Sequence, residues 1–180
     1  IVNCVNTSVF QPQKSIIKNQ HLLFVGSYNY YAKGFDILEN LAASGYKINC
    51  VTDRDPGMKL GWLQNLPNKD MPKIYNAHEI LIFPSRFEGA SMVVLESMAC
   101  GVPVIMNNVG IGPELRKEIP EFVILDNNRG EIFSKKIKTI EKKYDLYSIK
   151  AREYVLKNHS YHEYKKKWVS LIEMIYEMEN

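Results

Sequence analysis

Cysteine is scarce in this sequence, because its 180 residues contain only three, at positions 4, 50 and 100. An odd number of cysteines at unrelated spacings does not form a disulfide framework, and no cluster has the spacing of a zinc site. Cys50 and Cys100 also lie inside apolar segments. We therefore expect three free thiols in a reducing compartment, with no structural metal.

Long apolar runs and targeting signals are missing as well. No run approaches the roughly 20 residues that a membrane-spanning helix requires. The first residues also lack the basic, apolar and small-residue regions of a secretory signal. We expect a cytoplasmic protein, with a peripheral contact to a membrane surface left open.

The glycine-rich loops of common nucleotide-binding motifs are absent too. No GxGxxG follows the first apolar run at 21–26, which argues against a nicotinamide dinucleotide site, and no GxxxxGK[ST] occurs, which argues against an ATPase P-loop. No Asp-x-Asp pair stands where it could bridge a metal to a diphosphate. The nearest candidate, Asp53 and Asp55, precedes Pro56-Gly57 and is better explained as a turn. We expect neither a cofactor nor a bound metal.

The sequence does contain a regular alternation of short apolar runs and helical patterns. Apolar runs predict strands at 21–26, 46–52, 60–63, 79–84, 102–106 and 122–125, with a short turn at 113–117. Helices are predicted at 34–44, 70–76, 92–100, 131–142, 146–158 and 161–178. This alternation predicts an α/β fold with a doubly wound parallel sheet, whose ligand binds where the strand order reverses.

The most informative stretch is 83–105, with the sequence FPSRFEGASMVVLESMACGVPVI. It predicts the end of a strand, a loop, a short helix and the next strand. Ser91 is a good N-cap, residues 92–100 favour a helix, and Gly101 followed by Pro103 ends it.

Two carboxylates bracket the start of this helix. Glu88 precedes it in the loop, and Glu96 lies inside it, roughly 7 to 8 Å from the cap at a rise of about 1.5 Å per residue. The free amides of residues 90–92 and the helix dipole favour a phosphate there without a metal. The small side chains of Ala99 and Cys100 predict room for a sugar ring beside Glu96. This layout suits a diphosphate with a sugar at each end, although either carboxylate taken alone is more simply a surface acid.

Taken as a unit, the pattern E-G-x-S-x-x-x-L-E-S-M-A-C-G-V-P-V-I resembles the signature of the retaining GT-B glycosyltransferases of family 4. The resemblance implies that Glu88 contacts the donor sugar at the catalytic centre and that Glu96 binds the nucleotide ribose. Because the geometry places Glu96 deeper along the helix and Glu88 in the loop, we expect Glu88→Ala to spare binding of a bare nucleotide. The backbone groups that would hold the diphosphate belong to Gly89, Ala90, Ser91 and Met92. The family usually has Gly in place of Ser91, which implies a slightly different loop conformation.

Two further segments match the same family. Its Lys-Gly pair before the first helix, which serves the diphosphate, is matched by Lys33-Gly34, although Lys33 judged alone is an ordinary surface lysine. Its Gly-Arg pair after the first strand is matched only in part, because Gly26 is followed by Ser27. The loop that follows Leu63 is implied to contact the base through its backbone, whereas the neighbouring Trp62 is expected in the core.

The beginning of the chain also resembles this family. Residues 3–12 are similar to the segment NGVDTxxFxP that leads into the second half of these enzymes, with Cys4 for Gly and Asn6 for Asp. The resemblance implies a connector at 1–20, a Rossmann-like nucleotide-sugar-binding domain at 21–158, and a final helix at 159–180. That helix is expected to pack on an N-terminal domain of the same enzyme through Trp168 and its neighbours.

We therefore expect the donor-binding half of a retaining glycosyltransferase, one half of a GT-B fold. It would transfer a hexose-type sugar from a nucleoside diphosphate sugar to a saccharide or lipid-linked acceptor in the biosynthesis of envelope polysaccharide or glycoconjugates. The alternative, which the missing Arg at Ser27 suggests, is a nucleotide-sugar-binding module without catalysis, such as an inactive partner subunit.

Other features have simpler explanations. Residues 129–167 contain 12 Lys or Arg and 5 Asp or Glu, and a basic surface could attract acidic lipids or nucleic acid, yet a solvated helical face explains them more simply. We expect no nucleic-acid partner. His159 and His162 are expected as a helix cap and a surface residue, and His78 as a structural residue.

Overall fold

The computed structural model describes residues 3–18, 21–57, 60–64, 66–125 and 130–178. The ends of the predicted connector, at 1–2 and 19–20, lie outside the described residues. The end of the predicted last helix, at 179–180, and Arg129 of the basic segment lie outside them as well.

Within the described residues, six strands form one sheet in which all neighbouring strands are parallel. In chain order they are β1 (Leu22–Val25), β2 (Ile48–Thr52), β3 (Gly61–Gln64), β4 (Ile80–Phe83), β5 (Val104–Asn107) and β6 (Val123–Ile124). Their order across the sheet is β3-β2-β1-β4-β5-β6, so the progression reverses between β1 and β4. The predicted doubly wound parallel sheet is confirmed.

The helices of the described ranges cover this sheet. They are α1 (Phe35–Ala43), α2 (Met71–Asn76), α3 (Met92–Ala99), α4 (Gly112–Glu118), α5 (Gly130–Glu141), α6 (Tyr144–Asn158) and α7 (Tyr161–Met178). Helix α1 packs against α5, and α3 packs against α2 and α6. Right-handed crossovers place α1 and α3 on opposite faces of the sheet. The predicted bounds agree to within two residues except at α4, which is a helix where a turn was expected, because Pro113 in its first turn favours helix initiation.

The core lies at the middle of the sheet. Strands β1, β4 and β5 are buried along their whole length, as expected for continuous apolar runs covered by helices on both faces. The edge strand β3 is mostly exposed. The expectation that Trp62 lies in the core is therefore wrong: its side chain is 37% exposed, because β3 has only β2 as a neighbour.

Residues near the start of the chain lie against α2 and α6. The guanidinium of Arg152 donates to the carbonyl oxygens of Thr7, Phe10 and Ala99 at 2.6 to 3.0 Å, and Val5 bridges Ser160. Arg152 belongs to the basic segment, yet it joins the first residues to the domain instead of adding to a solvated face.

The last helix, α7, buries none of its side chains. Trp168, Val169, Ile172 and Ile175 are between 41% and 60% exposed, so an apolar stripe faces outward. Its contact with an N-terminal domain stays a prediction. Among the helices of the described ranges, none has both the length and the apolar composition to cross a membrane.

The cysteines and histidines have structural environments. All three cysteines are free, and burial raises the pKa of the Cys50 and Cys100 thiols to about 12. His78 is buried between Asn49 and the Ile74 carbonyl. His159 follows α6 as its cap but is buried against Tyr154, with Nδ1 3.0 Å from the Asn3 carbonyl. His162 is exposed.

Candidate functional site

The reversal between β1 and β4 separates the loops that follow these two strands and opens a crevice at their carboxyl ends. The loop after β1 carries Gly26 and Lys33, and the loop after β4, residues 84–91, carries Glu88 and leads into α3. We call residues 84–91 the β4 loop. The two loops meet in an ion pair between Lys33 Nζ and Glu88 Oε1, whose side chains are only 21% and 15% exposed.

Arg86 fixes the β4 loop to the loop after β1. Its amide donates to the Ala32 carbonyl at 2.8 Å, and its guanidinium donates to the Tyr31 carbonyl at 2.7 Å. The same guanidinium binds both oxygens of Asp36 at 2.8 and 2.7 Å, and this contact holds the pKa of the Asp36 carboxyl below its ordinary value. The walls of the crevice are thus joined without any ligand.

The start of α3 presents backbone amides to the crevice. Gly89 and Ala90 are exposed, and the hydrogen bonds of the described residues include none donated by the amides of Gly89, Ala90 or Ser91. The Met92 amide differs from the expectation, since it donates to the Ala90 carbonyl at 3.1 Å. These three amides of the β4 loop therefore have no acceptor among the described residues, and Ser91 is buried whereas Gly89 and Ala90 are exposed.

Ser91 occupies the N-cap position of α3 without capping it. Its backbone angles, φ −85° and ψ 79°, are close to those of an inverse γ-turn, which has a negative φ and so does not require glycine, although the resembling family usually has glycine here. The hydroxyl makes no capping bond, and Oγ is buried with no hydrogen-bond partner among the described residues. The expected N-cap is correct in position but not in its side-chain bond.

Glu96 lies beside a separate cavity of about 360 Å³ between the ends of β1 and β2 and helix α2. Gly26, Asp53, Tyr75 and Glu96 are among its lining residues. The Tyr75 hydroxyl donates to Glu96 Oε2 at 2.9 Å. Burial raises the pKa of Glu96, and the Tyr75 bond opposes that rise. The arrangement holds an acceptor carboxylate at the wall of an open cavity.

The expectation that Ala99 and Cys100 make room for a sugar ring beside Glu96 is wrong. Ala99 and Cys100 are buried, at 0% and 3% exposure, and the cavity is lined instead by Val93, one turn before Glu96. Side chains of an α-helix point back toward its N-terminus, so the neighbour that matters precedes the carboxylate.

Leu63 does not line this cavity itself. It is half-buried on β3 opposite Val51, whereas Leu66 and Asn68 of the following segment reach the cavity wall. Asp53 and Tyr75 are lining residues that sequence reasoning did not select. The only signal for Asp53 was its place after β2, and nothing in the sequence singled out Tyr75.

A second cavity, of about 570 Å³, lies on the other side of the β4 loop. Arg86, Glu88 and Gly89 line one wall, and Val109 and Gly110, from the loop after β5, line the other. Glu88 and Glu96 thus face different cavities.

The loop after β5 was not predicted to matter. Asn107, at the end of β5, donates from Nδ2 to the carbonyl oxygens of Pro84 and Ser85 at 2.9 and 3.1 Å. This side chain, which is fully buried, joins the end of β5 to the start of the β4 loop.

The acidic residues after β2 accept hydrogen bonds from backbone amides. In the described ranges, no three His, Cys, Asp or Glu side chains come together as ligands would. Asp53 Oδ1 accepts the Tyr28 amide at 2.6 Å, which lowers the pKa of Asp53, and Asp55 Oδ1 accepts the Gly57 amide at 2.8 Å. Asp55 thus serves the expected turn, whereas Asp53 joins the loop after β2 to the loop after β1.

Relatives of known name share parts of this chain. O-antigen chain mannosyltransferase B of Escherichia coli is 40% identical over 62 residues, which are 33% of this chain and 16% of that protein. Sucrose-phosphate synthase from Thermosynechococcus elongatus matches in structure with a TM-score of 0.80 and 18% identity, over 98% of this chain and 52% of the synthase. The chain therefore spans about half of the synthase and a smaller part of the mannosyltransferase.

A solved domain matches over nearly its full length. The C-terminal domain of the group 1 glycosyl transferase family protein LpcC from Francisella tularensis has a TM-score of 0.69 and 15% identity, over 87% of this chain and 99% of that domain. Such structural likenesses show a shared α/β, Rossmann-like fold of the GT-B type. The family model of glycosyl transferases group 1 matches residues 14–161, and the chain belongs to that family.

Proposed function

We propose that this chain binds the nucleoside diphosphate sugar of a retaining glycosyltransferase that transfers a hexose-type sugar to a saccharide or lipid-linked acceptor. One observation carries the proposal: Glu88 and Glu96 line different cavities, and the β4 loop before α3 has three amides without an acceptor among the described residues. A diphosphate with a ribose at one end and a sugar at the other matches that division.

Glu96 would bind the ribose. Its carboxylate is an acceptor at the wall of the 360 Å³ cavity, and the Tyr75 hydroxyl holds it in place while leaving Oε1 for the ligand. Gly26 leaves the backbone at the end of β1 open to close approach, and the segment after Leu63 would meet the base.

The diphosphate would lie at the β4 loop. The amides of Gly89, Ala90 and Ser91 and the positive end of the α3 dipole would bind its oxygens. Lys33 would exchange its bond with Glu88 for one with a phosphate, which carries more charge than a single carboxylate. Glu88, released from Lys33, would then accept hydrogen bonds from hydroxyl groups of the sugar.

These groups are suited to the leaving diphosphate. As the anomeric C–O bond breaks, its electron pair passes to the diphosphate, and preorganised amides together with Lys33 would stabilise the growing negative charge. Glu88, which is one of the residues that line the 570 Å³ cavity, would orient the reacting sugar.

We also propose that donor binding needs neither a cofactor nor a divalent metal. The hydrogen bonds of Asp53 and Asp55 support this part, because backbone amides already donate to both carboxylates, from Tyr28 and from Gly57. The exposed stripe of α7 would pack on an N-terminal domain of the same enzyme, in the cytoplasm. The mannosyltransferase relative supports a hexose donor and a role in envelope polysaccharide biosynthesis.

A second candidate is a nucleotide-sugar-binding module without catalysis. Ser27 favours it, because this exposed residue stands where the resembling family has an arginine, and Lys33 is already neutralised by Glu88. A protein that contains this chain and an N-terminal half, binds the donor and transfers no sugar would favour this candidate.

Calorimetric titration of the 180-residue chain with UDP and with GDP, each with and without EDTA, tests the proposal. We expect one of the two nucleotides to bind with an affinity that EDTA leaves unchanged. Absence of binding for both nucleotides would contradict donor binding, and loss of binding in EDTA would contradict metal independence alone.

A further inference from the structure

Gly110 lies directly against the β4 loop. It belongs to the loop between β5 and α4 and has a φ of +57°. A Cβ at this position would lie 2.7 Å from the Gly89 carbonyl oxygen and 2.8 Å from Ser91 Oγ. Both atoms belong to the segment whose amides face the crevice.

These contacts leave no room for a side chain. A separation below 3 Å is too short for a carbon atom, and the Gly89 oxygen belongs to the backbone, so it cannot yield by a change of rotamer. The Ser91 hydroxyl is buried at the N-terminus of α3 and has little freedom either. With any residue other than glycine at 110, the two loops have to move apart, which changes the position of the β4 loop relative to the loop after β5.

The other end of the β4 loop is held from the same side. Asn107, three residues before Gly110, donates to the carbonyls of Pro84 and Ser85. Residues 107–110 therefore fix the start of the β4 loop by hydrogen bonds and its end by close contact. The free amides lie at the end that Gly110 controls.

We infer that Gly110 is a positioning residue for donor binding: the lack of a side chain there sets the position of the Gly89, Ala90 and Ser91 amides that receive the diphosphate. The inference rests on the proposed function for its ligand, but the contact between the two loops exists without one. A displacement of about 1 Å in such a group can reduce function by orders of magnitude.

Gly45 provides a matched control. It also has a positive φ, +93°, and a Cβ there would meet nothing within 4 Å. It lies in the turn between α1 and β2, at the amino ends of the strands and away from the crevice. Gly45→Ala therefore introduces backbone strain without a contact, whereas Gly110→Ala introduces both.

The experiment compares the wild-type chain with the two alanine variants. Amide chemical shifts of the ligand-free proteins report the β4 loop, urea unfolding reports stability, and calorimetry with UDP and GDP reports binding. We expect both variants to unfold at lower urea. Only Gly110→Ala should change the chemical shifts of the Gly89, Ala90 and Ser91 amides and weaken nucleotide binding by about tenfold or more.

Gly110→Asn provides a second test if Gly110→Ala does not fold, because asparagine accepts positive φ more readily and keeps the same Cβ contact. Unshifted amides in the folded variant, or an equal loss of affinity in the Gly45 and Gly110 variants, would overturn the inference. If the wild-type chain binds neither nucleotide, the proposed function fails, and the amide shifts still decide whether Gly110 positions the loop.

Discussion

The ion pair between Lys33 and Glu88 leads to a prediction about nucleotide affinity that could not be made from the sequence. In the ligand-free crevice, the ammonium proposed to bind the diphosphate is bound by a carboxylate. A nucleotide must therefore displace Glu88 from Lys33, and its diphosphate is then repelled by the nearby negative charge of Glu88. The substitution Glu88→Gln removes that charge while keeping the size of the side chain.

The size of the effect follows from Coulomb's law. Two unit charges at 4 Å interact by about 1 kcal/mol in water and about 4 kcal/mol at the effective dielectric constant near a protein surface. Both side chains are partly exposed, at 21% and 15%, and the diphosphate lies beyond direct contact with Glu88. We therefore expect a gain of about 1 to 2 kcal/mol for a bare nucleoside diphosphate, or about 5- to 30-fold tighter binding.

The attached sugar should reverse this gain. Glu88 would then accept hydroxyl groups of the sugar, and a hydrogen bond to a charged group contributes about 1.5 to 3 kcal/mol. We expect the nucleotide sugar to bind Glu88→Gln no more tightly than the wild type. In Glu88→Gln, the dissociation constant of the nucleotide sugar should thus rise relative to that of the bare nucleotide.

Calorimetry on the wild-type chain and on Glu88→Gln, with the bare nucleotide and the nucleotide sugar, measures both quantities. Glu118→Gln is the control, because it breaks another carboxylate–ammonium pair, with Lys157 on α6, and should leave both affinities unchanged. An unchanged or weaker affinity of Glu88→Gln for the bare nucleotide would refute the competition for Lys33. An unchanged affinity would agree with the expectation that a substitution at Glu88 spares the bare nucleotide, and a weaker one would contradict that expectation as well.

The other predictions concern Glu96 and the isolated chain. Glu96→Ala should weaken the binding of a nucleoside diphosphate and of its sugar conjugate equally, by about 1.5 to 3 kcal/mol in calorimetry. Tyr75→Phe should weaken binding by only about 0.5 to 1.5 kcal/mol, since it removes a neutral donor. A loss of affinity confined to the conjugate would contradict both predictions. Burial raises the folded-state pKa of Glu96, so the stability it contributes is fully present below the pKa of the unfolded chain and is lost as pH rises through the folded value. Glu96→Gln should accordingly be more stable than the wild type at pH 7 in urea titrations, with the difference disappearing toward pH 4; a constant difference would be inconsistent with that shift. The 180-residue chain alone should transfer no sugar in a radiolabelled assay, because one half of a cleft leaves the donor open to water; measurable transfer would show that no second half is needed.

The sheet and the α3 region could be predicted because their signals are local. The apolar runs of β1, β4 and β5 have the length of buried strands, and Ser91 and Gly101 mark the ends of α3 within a single stretch of sequence. The separation of Glu88 from Glu96 follows from helix geometry alone.

What the sequence could not reveal depends on contacts between distant residues. Lys33 and Glu88 are 55 residues apart, and each was selected as a ligand group, not as the partner of the other. Trp62 is exposed because β3 lies at the edge of the sheet. An apolar run in the sequence does not reveal whether its strand is central or at an edge. Gly110 is similarly restricted by contacts with Gly89 and Ser91, which follow another strand of the sheet.

The most direct test of the central claim is to map the bound nucleotide on the chain. Amide spectra recorded with increasing UDP or GDP should show their largest changes at Gly26 and at Gly89, Ala90 and Ser91, with smaller changes around Tyr75 and Glu96. Changes concentrated on α6 and α7, or a spectrum that neither nucleotide alters, would contradict a donor site in the crevice between β1 and β4.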